Sequence, residues 1–264
     1  MTPSAKPTPR LDGWVHELKA ALTALQFLTR IPVPRWTGYS TRQLQDSSRY
    51  FPLVGTVVGL ACGLIYVGAH HFFGANIAIL LSMASGVLLT GGFHEDGLAD
   101  SCDAFGGGYT APAVLEIMKD SRVGSFGVLG LVFALALKFV CLQAVPMSHF
   151  LLLVVAAHSM SRFAAVSVMY SLNYVQDPSS SKIRPIAQGI DLRSLAVAAA
   201  LTLVPLLPLG RSAVAAVAAA LALRWLAVPY FRARIGGYTG DCLGAVQQLS
   251  ELAFYLGWIA WTST

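Results

Sequence analysis

Charge is what this sequence has least of. Only 12% of its 264 residues are Asp, Glu, Lys or Arg, whereas 55% are hydrophobic and the mean hydropathy is +0.62. A soluble domain carries about twice that charged fraction, so a water-soluble globule is excluded and length is no guide to domain count. Cysteine is scarce too: Cys62, Cys102, Cys141 and Cys242 form no CxxC pair and no zinc spacing. No basic helix or RNA-binding aromatic signature accompanies the net charge of +5. Nucleic acid is therefore not an expected partner, and the charge reads as a signal of membrane topology. Met1 to Arg10 is polar and proline-rich, with no apolar run and small-residue cleavage site behind it. No signal peptide is expected.

Long apolar runs are what the chain does have. In lipid a helix satisfies its own backbone groups, so the runs predict an all-α polytopic membrane bundle. Spans are expected near 51–73, 75–93, 123–145, 149–172, 193–209, 211–231 and 242–261, about seven in all. Gly55, Gly59 and Gly63 form a small-xxx-small series on the first of them, which favours close helix contact. Residues 12–30 read as an amphipathic helix at the interface or against the bundle, and 35–50 as a polar loop. Residues 1–264 thus form one membrane-embedded catalytic domain, with 1–50 as its cytoplasmic or interfacial N-terminal segment. Basic residues cluster at alternate span ends, which places the N-terminus and the loops carrying Lys119, Arg122, Lys182, Arg184, Arg232 and Arg234 in the cytoplasm.

Acidic residues number only thirteen, and Glu95, Asp96, Asp100 and Asp103 hold four of them in one short stretch. In a helix, Asp96, Asp100 and Asp103 fall within roughly 60° of one another. Such crowding is relieved by a bound cation or by partial protonation. Oxygen ligands suit a hard ion such as Mg2+ that shares phosphate oxygens with a substrate. A solvated acidic helix end is the plainer reading, but carboxylates at a membrane are costly unless used.

Other polar residues extend this candidate site. Lys119 can meet phosphate as a point charge and Arg122 as a fork, with Asp120 either ligating metal or orienting Arg122. A positive-inside anchor with local salt bridges explains the same residues. Asp241, in the glycine-rich approach to the last span, fits a bridging metal ligand or an N-cap. Glu251 lies too deep in that span for capping and demands a partner: Gln247, Gln248 or a basic residue on another span. Arg162, one turn from His158, is the best placed of the intramembrane basic residues for a site, and His158 reads as a core histidine. Lys182 and Arg184 stand in a basic loop of low specificity.

These pieces, in order, resemble the cobalamin synthase family, the adenosylcobinamide-GDP ribazoletransferases. The matching segments are Phe27-Leu-Thr-Arg-Ile-Pro-Val-Pro34, Phe51-Pro-Leu-Val-Gly55, Gly92-Phe-His-Glu-Asp-Gly-Leu-Ala-Asp-Ser-Cys-Asp103, Met118-Lys-Asp-Ser-Arg-Val-Gly124, Ser181-Lys-Ile-Arg-Pro185 and Gly236-Gly-Tyr-Thr-Gly-Asp-Cys-Leu-Gly-Ala245. The resemblance implies an Mg2+-dependent enzyme of the bacterial inner membrane. It would join adenosylcobinamide-GDP to α-ribazole or its 5′-phosphate and release GMP. Membrane lipid surrounds such an enzyme, and a homo-oligomer or other membrane enzymes of B12 assembly are admissible partners.

On that resemblance, Glu95, Asp96, Asp100, Asp103 and Asp241 hold the metal. Lys119, Arg122 and Arg162 neutralise phosphate, and Lys182 and Arg184 meet the nucleotide or the corrinoid. A carboxylate, with Asp103 put forward, takes the proton of the attacking ribose hydroxyl. Two rivals are weighed. CDP-alcohol phosphotransferases carry Asp-x-x-Asp-Gly-x-x-Ala-Arg, whereas Asp96-Gly-Leu-Ala-Asp100 is one residue short and lacks the Arg. A cation transporter places its carboxylates mid-span near a repeat axis, whereas here most sit at span ends.

Overall fold

The computed structural model describes residues 11–175 and 189–263. Among them are eleven α-helices and no strand, only an isolated bridge between Tyr174 and Tyr238. In chain order they are α1 (Leu11–Leu28), α2 (Thr41–Ser47), α3 (Phe51–Phe73), α4 (Ala75–Thr90), α5 (Phe93–Gly107), α6 (Ala111–Ile117), α7 (Ser125–Gln143), α8 (Met147–Ser171), α9 (Leu192–Leu206), α10 (Ser212–Ile235) and α11 (Gly240–Thr262).

The long helices fall where the hydrophobic runs predict them, but not all qualify as spans. Among the described residues, five stretches are long and apolar enough to cross a membrane, or six if α4 and α5 count as one bent span. Seven were expected from the sequence. α4 has 16 residues, about 24 Å at the helical rise, short of a hydrocarbon core of about 30 Å. α11 is long enough, but Gln247, Gln248 and Glu251 in its middle lower its hydropathy. The 35–50 segment is also more ordered than a loop. Ser40 caps α2 by accepting from the Gln43 N–H at 3.1 Å, and Leu44 is buried.

α8 is the centre of the bundle. Most of its residues from Leu153 to Met169 are buried. α3 packs along it through its glycines: a Cβ at Gly59 would stand 2.7 Å from the Val155 Cα, and Gly55 and Gly63 are closed off by His158 and Leu151. α1 docks on the bundle through Ala20, Ala24 and Leu28, while Trp14, Val15 and Leu18 stay exposed. Glu17 ties it down, accepting from Tyr50 Oη at 2.6 Å and pairing with Arg49 at 3.2 Å.

One break organises the rest. Gly91 and Gly92 adopt φ of 72° and 73°, the left-handed region where glycine carries no Cβ penalty. The chain turns 88° there, so α5 leaves the line of α4 and lies across the end of the bundle.

Candidate active site

α5 is pinned against the bundle end by three contacts. Gly97 crosses Gly244 of α11 so closely that a Cβ on either would stand 3.2 Å from the other's Cα. This crossing brings Asp241, in the first turn of α11, beside Asp96 and Asp100. Asp103 reaches the start of α7, where its Oδ2 accepts from the Gly124 N–H at 2.7 Å and its Oδ1 from the Gly127 N–H at 2.9 Å. α7 has no cap of its own, so Asp103 supplies one from another helix. At the far end, Arg234 donates to the carbonyls of Gly108 at 2.6 Å and Phe105 at 3.3 Å, and lies over the Phe105 ring.

The electrostatic result is concentrated on Asp100. Partial burial, then Asp241, Asp96 and Asp103 in that order, push its carboxyl up to about 7. Asp96 and Asp103 on α5 and Asp241 on α11 thus all act on Asp100. Among the described residues, no three His, Cys, Asp or Glu side chains already stand at ligating distances from one point. The donor chemistry nevertheless fits a hard cation. All four residues offer oxygen donors, and crowded carboxylates are relieved by a bound cation.

Glu95 goes elsewhere. It faces the interior, where its Oε1 accepts from Gln248 Nε2 at 3.0 Å and its buried Oε2 has no partner. The reason is angular: one residue along a helix is a 100° turn, so Glu95 and Asp96 cannot share a face. Glu95 thereby joins a buried polar cluster. Gln248 also donates to Gln247, Gln247 donates to Glu251 Oε2, and Glu251 Oε1 pairs with Lys138 at 2.6 Å and accepts from Tyr255 at 3.1 Å. A cavity beside these groups leaves ≈ 20 Å³ to the centre of a water molecule, room for about one.

The remaining predicted residues divide. The loop with Lys119, Asp120 and Arg122 is drawn to the acidic face by the Asp103–Gly124 bond. Asp120 orients Arg122: it accepts from Nε at 3.0 Å and Nη2 at 2.6 Å, and the guanidinium holds its carboxyl down at about 2. Lys119 is exposed. Arg162 is only 2% exposed, donates from Nη1 to the His158 carbonyl at 2.9 Å, and leaves Nε without an acceptor. It lies inside the bundle, behind the Asp face. Thr239, not Asp241, caps α11, accepting from the Cys242 N–H at 3.2 Å. Lys182 and Arg184 lie outside the described residues.

Sequence reasoning missed the Gly97–Gly244 crossing and the role of Arg234. The first had a signal: Gly240-Asp-Cys-Leu-Gly244 is a small-xxx-small pattern. The second had none, because Arg234 reads as one more positive charge at a span end.

Fold and site together define a multi-pass helical membrane protein with an acidic cluster at one end of the bundle. The model of the cobalamin-5-phosphate synthase family matches residues 20–259. The chain is 46% identical over 93% of its length to an adenosylcobinamide-GDP ribazoletransferase of Leptothrix cholodnii, covering 97% of that protein. It is 42% identical to one of Shewanella piezotolerans and 46% to one of Shewanella frigidimarina, over 93% and 92% of this chain and 96% and 95% of those. No solved structure matches it significantly. The chain belongs to the cobalamin-5-phosphate synthase family, and it is a transferase of cobalamin biosynthesis.

Proposed function

We propose that this enzyme joins ribazole, or its 5′-phosphate, to adenosylcobinamide-GDP with release of GMP, using Mg2+ at the cytoplasmic face of the bacterial inner membrane. Support for the substrates is the shared name of relatives that align over more than nine-tenths of the chain. Support for the chemistry is the effect of Asp241, Asp96 and Asp103 on Asp100.

When bound, Mg2+ would offset charge on the diphosphate and on the departing GMP. Asp96, Asp100 and Asp241 are the residues that would hold it. The ribose 3′-hydroxyl forms a new O–P bond at the phosphorus next to the corrinoid. The bond from that phosphorus to GMP breaks. Arg122, held by Asp120, keeps Nη1 for a phosphate oxygen, and Lys119 adds a second positive charge. The hydroxyl proton goes to a carboxylate. Both Asp103 oxygens already accept from amides, so another carboxylate of the cluster takes it. Asp103 instead fixes the loop that carries Arg122.

Orientation rests on charge. The ends of α5, α10 and α11 and the 118–124 loop meet at one end of the bundle, and Lys119, Arg122, Arg232 and Arg234 gather there.

The deciding experiment supplies purified protein in lipid with adenosylcobinamide-GDP, ribazole and Mg2+. GMP and a cobalamin product are expected, and none after EDTA. CDP-diacylglycerol with an alcohol should release no CMP. CMP release without GMP release would overturn the substrate reading.

A further inference from the structure

A second cleft opens beside the carboxylate face, on the other side of the α5–α11 crossing. Its walls are Phe27, Phe51, Phe93, Val166 and Leu243, and Arg162 lies among them. Gly240 and Gly244 of α11 also line it, so it shares the first turn of that helix with Asp241. The rings form a continuous wall: Phe27 stacks on Phe51 at 5.9 Å and meets Phe93 edge-on at 5.5 Å. The cleft holds ≈ 490 Å³ of unfilled space counting its open mouth, but only ≈ 40 Å³ admits the centre of a water molecule. It is a thin slot, suited to a flat ring rather than a globular group.

The one cation on that wall is unusual. Arg162 is 2% exposed, and its Nε–H has no acceptor in the protein. A buried donor left unpaired costs about 1–3 kcal/mol, so a ligand that accepts from it gains what the protein forgoes. His94 and Gln247 also line the slot, and an apolar cleft with a few convergent polar groups is the usual form of a small-molecule site.

We infer that this slot binds the bicyclic aromatic base of the ribazole substrate, with Arg162 Nε–H donating to the ring nitrogen that does not carry the ribose. The inference rests on the ribazole-transfer reading above. A benzimidazole is flat and largely apolar, and its one unsubstituted nitrogen is an acceptor. Gly240 and Gly244 set the slot against the first turn of α11, which carries Asp241, so a nucleoside with its base in the slot can direct its ribose toward that turn. A nucleoside offered in this way presents its hydroxyl to the carboxylates and its base to the rings.

The test uses the full chain in lipid nanodiscs. Phe51→Leu and Phe93→Leu keep apolar volume and remove the aromatic wall. Each should bind labelled ribazole at least fivefold more weakly in equilibrium dialysis, without Mg2+ or corrinoid. Each should raise the ribazole KM by a similar factor and leave the KM for adenosylcobinamide-GDP unchanged. The wild type should bind indole riboside, in which that nitrogen is a C–H, at least fivefold more weakly than ribazole. Variants that melt like wild type with an unchanged ribazole KM, or that shift only the corrinoid KM, would overturn the slot. Equal affinity for the two ribosides would overturn the Arg162 contact. Wild type that releases no GMP, yet binds ribazole in a Phe93-dependent manner, would remove the transfer reading and leave the slot standing.

Discussion

Asp103 and Gly124 are joined across 21 residues: the Gly124 N–H donates to Asp103 Oδ2 at 2.7 Å. The bond makes an α5 carboxylate the cap of α7, and it holds the loop bearing Arg122 against the acidic face. Space is short on the far side of the carboxylate, where a Cβ at Gly127 would overlap it and come 3.0 Å from the Ala99 carbonyl. Gly127→Ala should therefore destabilise the fold by about 1–3 kcal/mol and lower turnover at least tenfold, about 1.4 kcal/mol of barrier. Melting temperature and GMP release measure both. A Gly127→Ala enzyme with normal turnover would show that Asp103 is not positioning the loop.

Asp96→Asn, Asp100→Asn and Asp241→Asn each remove charge from the cluster without changing shape. Each should leave a folded membrane protein and cut turnover at least a hundredfold, about 2.7 kcal/mol. Asp103→Asn keeps one oxygen as an acceptor and should lose less. Near-wild-type rates for the first three at saturating Mg2+ would remove the metal assignment.

The proton on Asp100 gives a pH dependence with a definite sign. Its folded-state value is raised from 3.8 to about 7, so the folded protein binds more protons than the unfolded chain between those values. Stability linked to Asp100 is then fully present below about pH 4 and is lost as pH rises through about 7. In EDTA, the wild type should lose melting temperature from pH 5 to pH 8 relative to Asp100→Asn, and Mg2+ should restore it at pH 8. A parallel pH response in the two proteins would contradict the carboxylate coupling.

Much of this was legible in residue spacing, and what was not had physical causes. The Gly55, Gly59 and Gly63 series announced the α3–α8 contact because a missing Cβ is a local fact with one use in a membrane helix. The face shared by Asp96, Asp100 and Asp103 followed from helical angle alone. Placing Glu95 with them did not follow, since adjacency in sequence is a 100° separation on a helix. Asp241 could be suspected but not located. It stands 138 residues after Asp103 in the chain, and the Gly97–Gly244 crossing that brings it in is a tertiary event. α11 was expected at 242–261, but the partners of its polar residues were not legible, because they lie on other helices or are fixed only by packing.

Two bonds bring the basic segments to one end of the bundle. Asp103 binds Gly124, and Arg234 binds the Gly108 carbonyl, so both basic segments belong to one end of the bundle. Reporters fused after Arg122 and after Arg234 should both report cytoplasmic. Opposite signals would break the single-ended site, and two periplasmic signals would reverse its orientation.

The last prediction concerns the buried pair under the site. Lys138 on α7 lies 2.6 Å from Glu251 on α11, and Glu251 also accepts from Tyr255 at 3.1 Å and Gln247 at 3.0 Å. Removing one member strands the other charge in the bundle interior, so Lys138→Met and Glu251→Gln should each cost about 3–5 kcal/mol. Replacing both removes that pair together and leaves Glu95 as the remaining counter-charge to buried Arg162, and the double variant should be more stable than either single one. The pair also touches the site through a chain of amides: Glu251 to Gln247, Gln247 to Gln248, and Gln248 to Glu95 at 3.0 Å. Glu95 precedes Asp96 on α5, so loosening this chain should shift the acidic face. The double variant should then recover stability without fully recovering turnover, and Gln248→Leu, which cuts the chain at one link, should share that turnover defect. Unfolding midpoints in detergent titration and GMP release separate the two effects. Strictly additive costs for Lys138→Met and Glu251→Gln would mean that the two charges are not coupled. Full turnover in Gln248→Leu would mean that the buried cluster stabilises the bundle without positioning the acidic face.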